Sequence, residues 1–300
     1  KDFYLDFNFN IAFNKNKVDA LYGANGDEMI LSGGGTETGS DNYRVFVGQE
    51  VGLMYGYVSD GMYSFDDFTF NPTTKKWDIV TTKDENGVPI VTDCSGVLSR
   101  AGGYFGPGHM KLKDLNGDGK IDRGNNRFGD SGDKKVIGNT TPRYNFNLNL
   151  SGSWKGFDLR LFFQGTMKRD VWLDSPVFWG YKTGIWWANL NDYIIDNSWS
   201  ETNTNAYYPI PTWSDRSKQT QTKYLQNGAF IRLKDVTLSY TIPKTLINKY
   251  GIGQLKVFVS GQNLWEATGL YKYLDPDAVG RRDNNGNLKV DDNGSVYPFT

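Results

Sequence analysis

Phe3-Tyr4-Leu5-Asp6-Phe7-Asn8-Phe9-Asn10-Ile11-Ala12-Phe13 is the stretch on which the fold turns. Phe3, Leu5, Phe7, Phe9, Ile11 and Phe13 are large and apolar, whereas Tyr4, Asp6, Asn8, Asn10 and Ala12 between them are mostly polar. A strand sends successive side chains to opposite faces, so this period of two predicts one apolar face backed by a mostly polar one. The run matches the ~9–11 residues of a tilted membrane-spanning strand better than the ~5–6 usual in soluble sheets.

The pattern returns twice. Tyr144, Phe146, Leu148, Leu150 and Trp154 share one face, with Asn145, Asn147, Asn149, Ser151 and Ser153 on the other. Lys155-Gly156 then predicts a tight turn into Phe157, Leu159, Leu161 and Phe163, opposed by Asp158, Arg160 and Gln164, with Phe162 the exception. A second hairpin runs through Phe230–Ile242, where Val236, Leu238, Tyr240 and Ile242 alternate with Asp235, Thr237, Ser239 and Thr241. Lys244–Gln254 joins it to Leu255–Asn263, in which Leu255, Val257 and Val259 oppose Lys256, Ser260 and Gln262, and Phe258 intrudes.

The connections are very unequal. Those at Lys155-Gly156 and Lys244–Gln254 are short; those at residues 14–143, 166–229 and 268–300 are long. Outer-membrane barrels have this asymmetry, with short periplasmic turns and long extracellular loops. On that orientation residues 14–143 form one large extracellular insertion with structure of its own, and 166–229 and 268–300 form two more extracellular loops. Five strands cannot close a barrel, because open edges would expose unpaired backbone to lipid. The expected fold is therefore all-β, a partial transmembrane antiparallel barrel whose remaining wall lies outside residues 1–300. A secreted β-sandwich, serving as an adhesin or glycan-binding module, shows the same alternation and remains the alternative.

Composition agrees with a β-rich chain. Apolar residues make up 38% and Phe, Tyr and Trp together 15%, so aromatics carry the hydrophobicity; mean hydropathy is −0.55. Aromatic side chains pack well on a pleated surface. A net charge of −1 gives no electrostatic case for nucleic acid. One cysteine, Cys94, leaves no internal disulfide, and it reads as a small packed apolar residue. No run reaches the ~20 apolar residues of a membrane helix, which does not argue against a barrel. The opening residues Lys1-Asp2-Phe3-Tyr4 read as strand rather than signal peptide, so the sequence is expected to start in mid-protein or after processing.

Several stretches resemble the SusC/RagA group of TonB-dependent outer-membrane transporters of Bacteroidetes. They are Phe7–Val18, Val47–Tyr57 leading to Asp60-Gly61, and Leu112–Asp122 followed by Ile137-Gly138-Asn139. On the strands they are Pro142-Arg143-Tyr144, Trp154–Leu159, Phe162–Gly165, Phe230–Tyr240 and Val259–Leu264. They run through the whole chain in the family's order. The resemblance implies the C-terminal part of a plugged barrel of about 22 strands. It also implies a SusD-like surface lipoprotein as lid and TonB, ExbB and ExbD as the energy source. Oligosaccharides or oligopeptides are then the substrates and the bacterial outer membrane the location. The plug and TonB-binding segment lie outside these residues, and Tyr297-Pro298-Phe299-Thr300 stands where the family continues to a closing aromatic strand.

Two local motifs qualify as candidate sites. Asp114, Asn116, Asp118, Lys120 and Asp122 fall on positions 1, 3, 5, 7 and 9 of a calcium loop, with Gly119 at the sharp turn. Lys120 would contribute its backbone carbonyl. Asn125 stands where the bidentate Glu belongs, so a structural Ca2+ is expected to bind weakly; an ion-free turn of Asn, Asp and Gly is the alternative. No other cofactor is expected. The second motif is the aromatic cluster of the 166–229 loop, in which Trp179, Tyr181, Trp186, Trp187, Tyr207, Tyr208 and Trp213 are the candidates for substrate or lid contact. Packing into a private loop core is the competing role. Residues Ile185–Ser198 are predicted to form the loop's one helix.

Catalysis has little support. His109 is the sole histidine and follows Gly106-Pro107-Gly108, so neither a Ser-His-Asp nor a Cys-His arrangement is expected. Asp66-Asp67 and Asp291-Asp292 are adjacent pairs, which on a strand point to opposite faces rather than serving together as acid and base.

Overall fold

A computed structural model describes residues 3–21, 28–30, 44–73, 75–79, 82–83, 89–90, 106–125, 129–173, 176–179, 192–212, 215–271, 274–277, 281–282 and 288–289. The chain separates into two compact units. One comprises residues 1–15, 141–170 and 226–272; the other comprises 16–140, 171–225 and 273–300.

The first unit is a five-stranded antiparallel sheet of β1 (Phe3–Phe13), β2 (Tyr144–Trp154), β3 (Phe157–Met167), β4 (Phe230–Thr241) and β5 (Lys256–Thr268), neighbours in chain order. β1 and β2 match the alternating runs end for end. The register follows the pattern, because slipping by one residue would put every Asn on the apolar face. Phe7 lies opposite Leu150 and Phe9 opposite Leu148, while Asn8 faces Asn149 and Asn10 faces Asn147. The Asn14 N–H donates to the Arg143 carbonyl at 2.9 Å, so the long excursion leaves and re-enters on adjacent strands. Lys155 and Gly156 turn β2 into β3 with φ of 47° and 89°, left-handed at both centres as a two-residue hairpin requires.

β4 and β5 differ from simple alternation. Phe162 pairs with Asp235 but Phe163 with Leu233, so Lys234 is an extra residue. Below this bulge Val236, Leu238 and Tyr240 share the apolar face; above it Leu233 and Ile231 do. A bulge re-aims the side chains beyond it, which is why Phe230–Lys234 looks out of phase in sequence. In β5 the register steps from Gln262 to Trp265, and Asn263 adopts φ 54°. That step carries the strand on to Thr268, beyond the expected end at Asn263. Lys244–Gln254 holds a helical turn at Lys244–Ile247 and a 3-10 turn at Asn248–Tyr250.

The second unit interleaves two of the three long connections. Leu53–Tyr57 pairs with Lys134–Asn139, and Ser59–Met62 pairs with Met110–Leu112. The 166–229 stretch joins them through backbone bonds: Tyr57 N–H to the Thr220 carbonyl (2.8 Å) and Ile210 N–H to the Gly108 carbonyl (2.9 Å). The expected helix at 185–198 is shorter where it is described, spanning Asp192–Asp196, and it is not the loop's only one, since Pro176–Trp179 forms another turn. Residues 180–191 lie outside the described part. No described helix is long and apolar enough to cross a membrane.

Candidate functional site

The sheet offers two chemically opposite surfaces. On one face Phe3 is 65% exposed, Phe7 63% and Val259 66%. Large apolar groups this open are not the surface of a water-soluble sheet; they suit a hydrocarbon solvent. The opposite face carries a different chemistry. Asp158 receives hydrogen bonds from Ser153 Oγ and Lys256 Nζ, each at 2.6 Å, and Ser239 Oγ adds a longer one at 3.4 Å. Farther along the strands, Arg232 Nε donates to Glu266 Oε2 at 2.8 Å, with Arg232 nearly buried. These pairs cross β2–β5, so they tie neighbouring strands together on the polar side. Sequence reasoning did not find them, because partners 34 and 98 residues apart meet only once the register is known.

The aromatic loop residues go mainly inward. Trp179 is 1% and Tyr208 0% exposed. Phe178 meets Trp179 edge-on at 5.2 Å, Trp179 meets Tyr224 at 4.9 Å, and Tyr207 meets Tyr208 at 4.9 Å. Such edge-to-face contacts are the favoured aromatic geometry. The Trp179 indole N–H donates to the Leu173 carbonyl at 2.8 Å, so its polar edge is satisfied inside. Trp179 and Tyr208 thus take part in the packed interior of the loop unit. Tyr207 is 37% exposed and keeps an open edge. Tyr181, Trp186, Trp187 and Trp213 lie outside the described residues.

The Asp114–Asp122 segment is a run of side-chain-capped turns. Asp114 accepts the Gly117 N–H at 2.6 Å and the Gly119 N–H at 2.8 Å; Asn116 accepts from Asp118 N–H and Asp118 from Lys120 N–H. Gly117 and Gly119 take φ of 76° and 79°, as the tight backbone demands. Asp133, which was not singled out in sequence, anchors the segment from beneath. Its carboxylate is buried and accepts N–H bonds from Leu115 (2.7 Å) and Asp122 (2.8 Å). Burial pushes the Asp133 pKa up, against those N–H bonds and with help from the nearby Asp114 charge. Among the described residues no group of three or more His, Cys, Asp or Glu side chains is arranged to hold a metal ion.

His109 is buried with Nδ1 3.1 Å from the Gly106 carbonyl. Asp67 caps its own turn by accepting the Ser64 N–H at 2.8 Å and pairs with Lys111 at 2.9 Å. Cys94 and the Asp291-Asp292 pair lie outside the described residues.

No family model matches the chain. Curated relatives do. The chain is 29% identical over 286 residues to TonB-dependent receptor P3 of Formosa agariphila, covering 95% of this chain and 24% of that protein. It is 24% identical over 288 residues to TonB-dependent receptor SusC of Bacteroides thetaiotaomicron, covering 95% and 23%. The chain thus spans about a quarter of the length of the curated relatives it matches. Among solved structures it resembles the RagAB peptide importer in its closed-closed state, with a TM-score of 0.58 and 19% identity over 96% of this chain and 26% of that one. The open-open state of the same importer gives 0.57 and 20%. At that identity the structural likeness establishes fold, and it is the fold of the sheet described above. In sequence this chain is similar to a segment of TonB-dependent receptors, SusC among them, and in fold to a segment of the RagAB importer.

Proposed function

We propose that the protein to which this segment belongs imports oligosaccharides or oligopeptides across the bacterial outer membrane, driven by TonB, ExbB and ExbD, with a SusD-like lipoprotein closing over the barrel mouth. The carrying observation is the exposed apolar face of strands 11 to 13 residues long, backed by a polar face. A lipid-facing wall needs that face, whereas a secreted β-sandwich would bury it against a second sheet. In this reading the Lys155-Gly156 and Lys244–Gln254 ends are periplasmic and the second unit is extracellular, where lid and substrate arrive. Tyr207 is its exposed aromatic candidate for either contact. A structural Ca2+ at Asp114–Asp122 belongs to the same reading as a weak loop-ordering ion. It would compete with N–H groups for the Asp114, Asn116 and Asp118 oxygens, and calcium at its dissociation constant would add only ~0.4 kcal/mol to loop stability.

The test uses the full-length receptor in its own host. Expected are recovery in the outer membrane only with detergent and uptake of labelled oligosaccharide or oligopeptide that stops when TonB is removed. Co-purification of a surface lipoprotein is also expected. Recovery of a detergent-free soluble protein would transfer the case to the adhesin reading. Calcium titration that leaves loop proteolysis of the intact receptor unchanged would end the metal part alone.

A further inference from the structure

Three glycines stand on the apolar face of the sheet: Gly152 on β2, Gly165 on β3 and Gly261 on β5. Each removes a side chain from a wall otherwise built of large ones. Two of the notches are filled by the chain itself. At Gly165 the Phe146 ring occupies the place a Cβ would need. At Gly261 the Leu264 side chain does so, 2.8 Å from where a Cβ would stand.

Gly152 differs. Its nearest neighbours to a Cβ would be the Tyr4 carbonyl at 3.6 Å and Leu5 Cδ1 at 3.8 Å, both ordinary contacts. Its φ is not in the left-handed region. Neither backbone strain nor a close neighbour requires glycine there, so what the residue supplies is space. That space is a groove of about 340 Å³, walled by Phe3, Leu5, Trp154, Phe157 and Leu159. It lies within the ~300–1,000 Å³ range of ligand pockets, and its walls are nearly all hydrocarbon or aromatic. At its end the chain enters the Lys155-Gly156 turn, where the exposed Lys155 ammonium lies 5.1 Å from the centre of the Trp154 ring. A slot lined by apolar groups with a cation at one end matches an amphiphile with one negative charge.

We propose that the groove over Gly152 is a binding site for a single anionic phospholipid, one acyl chain lying in the notch and its phosphate at Lys155. The site rests on the membrane-barrel reading above, since only then does this face meet lipid. An aromatic ring and a lysine at a strand end also hold the interface, where Trp and basic side chains settle between headgroups and hydrocarbon.

The experiment takes the full-length receptor into vesicles containing spin-labelled phosphatidylglycerol or phosphatidylcholine and compares retained lipid. The wild type is expected to prefer phosphatidylglycerol. Gly152→Leu fills the notch without a backbone clash, and losing even about two buried methylenes weakens retention roughly tenfold. Lys155→Asn keeps a residue that tolerates left-handed φ while deleting the charge, and it should abolish the headgroup preference while leaving chain retention. Equal retention of both lipids by wild type, or unchanged retention in Gly152→Leu, overturns the site. Outer-membrane recovery of each variant is measured alongside: if that holds while retention does not change, the lipid site fails and the barrel stands. A wild-type receptor that partitions without detergent sinks both.

Discussion

The two units spend the same residue types in opposite ways. In the sheet Phe3, Phe7 and Phe13 are more than half exposed, while in the loop unit Phe178, Trp179 and Tyr208 are closed off. Aromatic content alone therefore says little about burial; the neighbours decide. In β1 the apolar residues occur every second position with mostly polar residues between them, and among the described residues the whole strand is exposed. In the loop unit they arrive from separated stretches and converge edge-to-face. The sheet uses its solvent as the missing half of the core, and the loop unit builds its own.

The largest effect should come from breaking that private core. Trp179→Ala removes a buried indole that touches Phe178, Tyr208 and Tyr224, a class of change that costs about 3–5 kcal/mol. Limited proteolysis of the intact receptor should then cut the 16–140 and 171–225 stretches much faster. Heat-resistant migration of the barrel should persist. If sheet and loops lose protection together, the two units do not have separable cores.

A somewhat smaller and opposite contrast is expected across one strand. Phe7→Lys puts a charge on the apolar face, which costs about 2–4 kcal/mol where the strand crosses mid-membrane. Asn8→Lys, one residue on, faces the polar side and should be tolerated. Outer-membrane recovery of the two variants is the measurement. Equal recovery would mean the apolar face does not meet lipid.

This contrast also marks how far sequence reasoning reaches. β1 and β2 were legible to the residue, because period-two alternation is set by the strand geometry itself. Phe230–Lys234 was not, since a bulge at Lys234 reverses the phase and only the partner strand reveals it. The Asp114–Asp122 turns were legible as a motif, but Asp133, on which they rest, comes from another stretch and carries no local signal. Likewise the aromatic list held both core and surface residues. Burial separates Tyr208 from its neighbour Tyr207, and no local periodicity distinguishes them.

The smallest effect concerns two carboxylates of the loop unit that respond to pH in opposite senses. Asp133 is raised above its ordinary 3.8, chiefly by burial. Burial also acts on Asp67, but the Ser64 N–H and the Lys111 ammonium outweigh it and hold its pKa below 3.8. A group with a raised folded pKa binds more protons in the folded than in the unfolded state, so its contribution is present below 3.8 and is lost as pH rises through the raised value. Asp67 has the reverse sign: its stabilisation is present above 3.8 and is lost as pH falls through the lowered value. Proteolytic protection of the loop unit, followed from pH 7 downward, should therefore respond to each replacement in its own window. Asp133→Asn should flatten the gain in protection that appears on approaching 3.8 from above. Asp67→Asn should instead flatten the loss that appears below it. If both variants shift the same limb of the profile, the two carboxylates titrate as one coupled group, and the Asp133 anchor under the Asp114–Asp122 turns is not independent of the Asp67–Lys111 pair.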